Sequence, residues 1–330
     1  MKLLILGGTE FVGRALVRSA LARGWDVTVF NRGNRPAPEG VTALVGDRTA
    51  ADGLAALAAA PDGWDVVVDT WADAPVVVRD AARLLAERAG RYAYVSSCSV
   101  YAWPAAPGSD ESAPLVDGAP DAGDVPYAEA KRGGELATLE AFGAEQSLLV
   151  RAGLLLGPWE NIGRLPWWLA RIARGGRVTA PGPADAPVQY VDVRDLAEWT
   201  LSAAQAGLSG PYNLIGPPGA ASFGEVLGEC VTATGSGAGL RWVDPERVLA
   251  AGIAPWTDLP LWVPPRQAPD EAGALYSLDV ARALAAGLEC RPLAETVADT
   301  WQWLQSVGGT VRGKGGTGLS AEQEKTWRGL

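Results

Sequence analysis

Tyr127 and Lys131 stand four apart in the run Tyr127-Ala128-Glu129-Ala130-Lys131. On a helix that spacing puts both side chains on one face. A phenol with a pKa near 10 is a poor base at neutral pH, and lowering it by about three units takes roughly 4 kcal/mol of preferential phenolate stabilisation. A neighbouring ammonium supplies much of that by Coulomb attraction. Ser97, in Ser96-Ser97-Cys98-Ser99-Val100-Tyr101, offers a hydroxyl that could orient a carbonyl or alcohol and stabilise its developing oxyanion. Tyrosine and lysine four apart are also common on solvated helices, so their meaning depends on the elements that carry them.

Composition narrows the chemistry. The 330 residues include no histidine, which removes the commonest general base and the commonest metal ligand and leaves acid-base work to Tyr, Lys, Ser or carboxylates. The cysteines Cys98, Cys230 and Cys290 show no metal-ligand spacing and suit a reducing compartment, with no metal site and no disulfide framework expected. A net charge of -10 argues against nucleic acid as a partner. Apolar residues make up 48% and charged residues 20%, as in a folded globular protein, and no run has the length of a membrane span or signal peptide. A cytoplasmic protein with a small-molecule substrate and no membrane partner is expected.

The positioning elements begin at the N-terminus. Leu3-Leu4-Ile5-Leu6 reads as a strand buried on both faces, and it breaks into Gly7-Gly8-Thr9-Glu10-Phe11-Val12-Gly13 before a helix that runs to Arg23. Glycines there permit a tight turn and close backbone approach, while the helix start attracts a pyrophosphate. A second strand, Val27 to Phe30, completes a βαβ unit and with it a dinucleotide-binding fingerprint. Beyond it, Asn31-Arg32-Gly33-Asn34-Arg35 has no acid for a ribose hydroxyl. Arg32 and Arg35 either pair with the extra phosphate of NADP or are solvated loop residues; NADP is the preferred cofactor on this reading, with NAD the alternative.

Val41 to Val45 is a third strand, and Asp47 after it either accepts from an adenine amino group or caps the next helix. Val66 to Val68 is a fourth, followed at its C-terminal end by Asp69-Thr70-Trp71-Ala72, where ligands of open α/β sheets bind; Trp71 is a candidate cofactor contact. A helix from Val76 to Ala89 leads to strand five, Tyr92 to Val95, which delivers Ser97. With an oxidised nicotinamide ring beside it, the Tyr127 phenolate gains a second positive neighbour besides Lys131.

The chain resembles the extended short-chain dehydrogenase/reductases, in the NAD-dependent epimerase/dehydratase family, over roughly residues 1 to 304. The resemblance rests on Gly7 to Gly13, Asp47, Ser96 to Tyr101, Tyr127 with Lys131, Tyr190 to Ala197, and Tyr212-Asn213-Leu214. It implies Ser97 as the catalytic hydroxyl, Tyr127 as the acid-base residue, Lys131 as the nicotinamide-ribose ligand, and a homodimer built by the helices after strands four and five. Three positions depart from the family. Glu10 replaces the middle glycine, where an acid would repel a pyrophosphate. Cys98-Ser99 replaces the Asp-Glu of sugar dehydratases, which argues against dehydration. Val188-Gln189 replaces an Arg-Asp common in nucleotide-sugar epimerases.

The expected fold is α/β: a Rossmann-type doubly wound parallel sheet with a smaller interleaved C-terminal substrate domain. Residues 1–155 form the dinucleotide-binding domain, with 188–216 returning to it in part. Residues 156–187 and 217–304 form the substrate domain, and 305–330 a Gly-rich linker and terminal helix. Cys98, Trp159, Asn161 and Trp167 are the candidate substrate contacts, among tryptophans that either line a pocket or pack an irregular small domain. Arg164, Arg171 and Arg174 lie at near-helical spacing, where a solvated face outweighs an anion grip. The expected reaction is NAD(P)-dependent oxidation or reduction of a carbonyl/alcohol pair. An epimerase using the same residues, or a non-catalytic nucleotide-sensing or nucleic-acid-binding relative, stands as the alternative.

Overall fold

The computed structural model describes residues 1–61, 63–103, 105–264, 276–310 and 317–330. Seven parallel strands form the main sheet. They are β1 (Lys2–Leu6), β2 (Asp26–Asn31), β3 (Thr42–Val45), β4 (Val66–Asp69), β5 (Tyr92–Ser97), β6 (Ser147–Ala152) and β10 (Gly210–Leu214), in the order β10-β6-β5-β4-β1-β2-β3. Alternation along β1 divides the core: Leu3 and Ile5 pack into one cluster and Leu4 and Leu6 into the other. The first face is covered by α1 (Phe11–Ala22) and α6 (Val193–Gln205), the second by α3 (Pro75–Leu85) and α4 (Tyr127–Phe142), each pair in mutual contact. A continuous apolar strand is what burial on both faces demands.

The strand order reverses between β1 and β4. The loops after β1, β4 and β5 therefore open around one crevice at the strand C-termini, the place where such sheets bind ligands. The short α2 (Ala55–Ala58) lies outside this crevice on the β3 side.

A second lobe has its own core around the buried Trp168, Phe223, Trp262 and Trp327. It contains the strand pairs β7 (Leu154–Leu156) with β9 (Tyr190–Asp192), and β8 (Arg177–Pro181) with β11 (Gly239–Val243). Its helices are α5 (Arg164–Ile172), α7 (Phe223–Thr234), α8 (Pro245–Ala250) and α10 (Leu293–Ser306), while α9 (Ala281–Ala285) packs on β10. The terminal helix α11 (Ala321–Gly329) docks on the same lobe. Trp327 is fully buried in it, Arg171 pairs with Glu324, and Gln323 Nε2 donates to Asp258 at 2.6 Å. Within the expected Gly-rich linker, residues 311–316 lie outside those described. Among the described residues no helix is long and apolar enough to cross a membrane, and no cluster of His, Cys, Asp or Glu could hold a metal.

Candidate functional site

The glycine loop is shaped by steric necessity. Gly8 has φ 97°, and a Cβ on it would meet Val29 Cγ1 at 2.7 Å. A Cβ on Gly13 would meet the Gly8 nitrogen at 2.5 Å, so Gly13 lets α1 press directly on the loop. Gly7, Gly8, Thr9, Glu10, Asn31, Arg32, Arg35, Asp47 and Trp71 line one groove that starts at the N-terminus of α1. The groove fits a dinucleotide: backbone at a helix start for a pyrophosphate, and side chains at the ends of β2 and β3 for a nucleoside. Asp47 accepts from Thr49 through N (3.0 Å) and Oγ1 (2.7 Å), and these bonds hold its carboxyl below the usual range.

Glu10 does not cap α1. Its carboxylate instead accepts from Arg35 Nη2 at 2.8 Å and from Asn161 Nδ2 at 2.8 Å. The acid that sequence reasoning set against a pyrophosphate is thus counter-charged, and Arg35 is committed to it.

Next to the groove, Ser97, Tyr127 and Lys131 line one cleft, joined there by Phe11, Val12 and Cys98. Ser97 ends β5, and its Oγ accepts from Ser99 N at 3.1 Å, which fixes the turn that aims it. Tyr127 opens α4 with 53% of its surface exposed to the cleft and solvent. Protein crowded about its ring raises the phenol above its ordinary value, and the Ser97 hydroxyl and Arg164 charge oppose that. Lys131, one turn on, is buried; its Nζ lies 6.0 Å from the Tyr127 ring centre and donates to the carbonyls of Trp71 (2.6 Å) and Val95 (2.7 Å). Burial pushes its pKa down to about 8, against the pull of Asp69, Asp73 and Glu135. A cation this close to a phenol in a partly dry cleft is the arrangement that proton transfer by tyrosine requires.

Residues 3–215 match the model of the NAD dependent epimerase/dehydratase family. The chain belongs to this family. It is similar in fold to the UDP-glucose 4-epimerase of Thermus thermophilus, solved with NAD, at 21% identity and TM-score 0.65, over 92% of this chain and 99% of that one. It is similar as well to the UDP-glucuronic acid 4-epimerase of Bacillus cereus, solved with NAD, at 14% identity and TM-score 0.66, over 93% and 99% of the two chains. Among curated proteins none matches this sequence.

Two buried ion pairs that sequence reasoning missed flank Lys131. Arg48 grips Asp69 with both ends of its guanidinium (2.7 and 2.8 Å) and lies 5.2 Å over the Trp71 ring. Asp69 also accepts from Trp71 N (2.9 Å) and Tyr92 OH (2.6 Å), so the residue whose carbonyl holds Lys131 is itself held. On the other side of Lys131, Glu135 accepts from Arg151 Nε at 2.9 Å and from Ser96 Oγ at 2.8 Å, tying α4 to β6 and β5. Such pairs hold geometry more than they add stability. A charged residue inside the apolar Leu148-Leu149-Val150-Arg151 strand was the available signal for the second pair.

The expected substrate contacts divide. Cys98 borders the cleft, but its thiol donates to the Arg151 carbonyl at 3.2 Å and is pushed by burial up to about 12. Trp159 is turned away: it lies beneath Arg14 and Arg18 (5.3 and 5.0 Å to the ring centre) in a separate groove between α1 and α10. Asn161 is spent on Glu10, and Trp167 packs edge-on to Trp168 with Arg171 over it, facing the terminal segment at Gly318. Trp103, Trp256 and Tyr276 join Phe11 and Tyr127 in the cleft's aromatic lining, with Arg164 at the start of α5. Gln189, the second residue of the Val188-Gln189 pair that departs from the resembled pattern, is buried, and its Nε2 donates to Gly216 O and Leu278 O, each at 2.9 Å.

Proposed function

We propose that this chain is an NAD-dependent epimerase that inverts one carbinol of a small, sugar-like substrate through a transient keto intermediate. The observation that carries the reading is continuity. Thr70 and Ala72 line both the dinucleotide groove and the catalytic cleft, so the glycine loop and Ser97, Tyr127 and Lys131 serve adjoining ligands. A nicotinamide dinucleotide bound there supplies a hydride acceptor that is also the donor on return. Tyr127 accepts the hydroxyl proton as the substrate carbonyl forms and gives it back on the reverse step. Ser97 donates to the substrate oxygen, and Lys131 favours the phenolate by its charge.

Two solved neighbours named as nucleotide-sugar 4-epimerases support inversion over net oxidation or reduction. A dissociable NADPH reductase is the second reading, favoured by Arg32 in the groove. The family model and both of these neighbours are named with NAD, and we take NAD as the cofactor; the mostly exposed pairing of Arg35 with Glu10 accords with that choice. The homodimer through α3 and α4 belongs to the same proposal.

The test is Tyr127→Phe assayed on a panel of nucleotide sugars. Loss of a positioned acid-base group costs about 10²- to 10⁴-fold. Turnover should fall by that factor while NAD affinity stays within a few-fold; an unimpaired variant would sink the mechanism.

A further inference from the structure

The chain carries ten more acidic than basic residues, 38 against 28. Among the described residues no carboxylate lines the catalytic cleft, yet two cations do, Lys131 and Arg164. Lys131 is engaged by two backbone carbonyls. Arg164 is not engaged in that way. Its guanidinium lies 5.0 Å over the Trp256 ring, and among the described residues no carboxylate stands within ion-pair distance of it. The nearest candidate, Glu160, turns its oxygens onto the Arg164 and Leu165 backbone N–H groups at 2.7 and 3.1 Å. Stacking on an indole leaves the guanidinium edge, with its fork of N–H donors, for an oxyanion. Glu160 feels the Arg164 charge but spends its oxygens on backbone N–H groups, so the guanidinium donors of this half-buried cation stay available to a charge that arrives with a ligand.

We infer that Arg164 is a specificity-determining residue that binds an anionic group, phosphate or carboxylate, on the substrate whose carbinol reaches Tyr127. The inference rests on the proposed reaction at this cleft and adds the charge of the substrate to it. Trp256 is the platform that holds the guanidinium in place, and Trp103 and Tyr276 flank the remainder of the ligand.

Calorimetric titration tests this on the full chain at saturating added NAD, which fills the dinucleotide groove first. The probes are inorganic phosphate, UDP and malonate, and the one that binds identifies the chemistry of the group. At least one should bind with 1:1 stoichiometry. Arg164→Gln should weaken it by about tenfold to a hundredfold, and Arg164→Lys by less, with NAD affinity unchanged. Binding of no probe, or equal binding to wild type and Arg164→Gln, would overturn the inference. Because NAD is supplied throughout, that failure stays separate from failure of the epimerase reading, which is decided by Tyr127→Phe turnover.

Discussion

At the scale of single residues the account turns on Lys131, a lysine whose cation is only just retained at neutral pH. Its pKa of about 8 means that it is charged below that pH and neutral above it, so in the proposed reaction its support for the Tyr127 phenolate fades as pH rises. Only four lysines occur, Lys2, Lys131, Lys314 and Lys325. A Lys Cε-labelled sample should therefore show a carbon titrating near pH 8, assigned to Lys131 by its loss in Lys131→Arg. Asp69→Asn should move that midpoint lower, because the Asp69 charge is the chief influence holding it up; the absence of any lysine midpoint near pH 8 would contradict the burial argument. Ser97, Tyr127 and Lys131 were legible because helical spacing and a strand end place them. Arg48 with Asp69 was not, because that pair joins residues 21 apart, one in the turn after β3 and the other at the end of β4, and no local pattern announces it. Arg164 was read as one of three arginines on a solvated face, and only the tertiary fold separates it from Arg171, which pairs with Glu324.

At the scale of elements, the start of α5 couples the cleft to stability. Glu160 is fully buried there and accepts two backbone N–H groups, yet burial still raises its carboxyl from 4.5 to about 7. The folded state thus binds this proton more tightly than the unfolded state. Stability from this group falls as pH climbs from 4.5 through 7, and its cost is complete above that. Glu160→Gln removes the charge, so melting temperatures taken from pH 5 to about 8 should decline less in the variant than in wild type. Parallel curves would contradict the assignment. The strands of the main sheet were legible because runs such as Leu3 to Leu6 and Val66 to Val68 admit one reading. The second lobe was less so. Its strand β8 is five residues ending in proline, and α7 passed unread although Ser222 and Glu225 form a capping box that its sequence spells out.

At the scale of the molecule, the chain closes on itself. The terminal helix, which composition marked only as following a glycine-rich stretch, inserts Trp327 into the second lobe's core and extends the packing around α5. Trp327→Ala should cost about 3–5 kcal/mol in denaturant unfolding, less whatever the site regains by collapse; an unchanged midpoint would mean the helix does not dock. The same closure brings Asn161 of the second lobe onto Glu10 of the glycine loop, a clasp between the two lobes beside the dinucleotide groove. An enzyme that oxidises and then re-reduces its own substrate gains nothing by releasing its dinucleotide between the two steps, and a clasp of this kind suits retention. The decisive measurement is the nucleotide content of the protein purified without added cofactor, released by denaturation and identified by mass and absorbance. The account predicts NAD in near-stoichiometric amount and no NADP. Protein that emerges empty and then binds NADPH in preference to NADH would contradict it and point to a dissociable reductase.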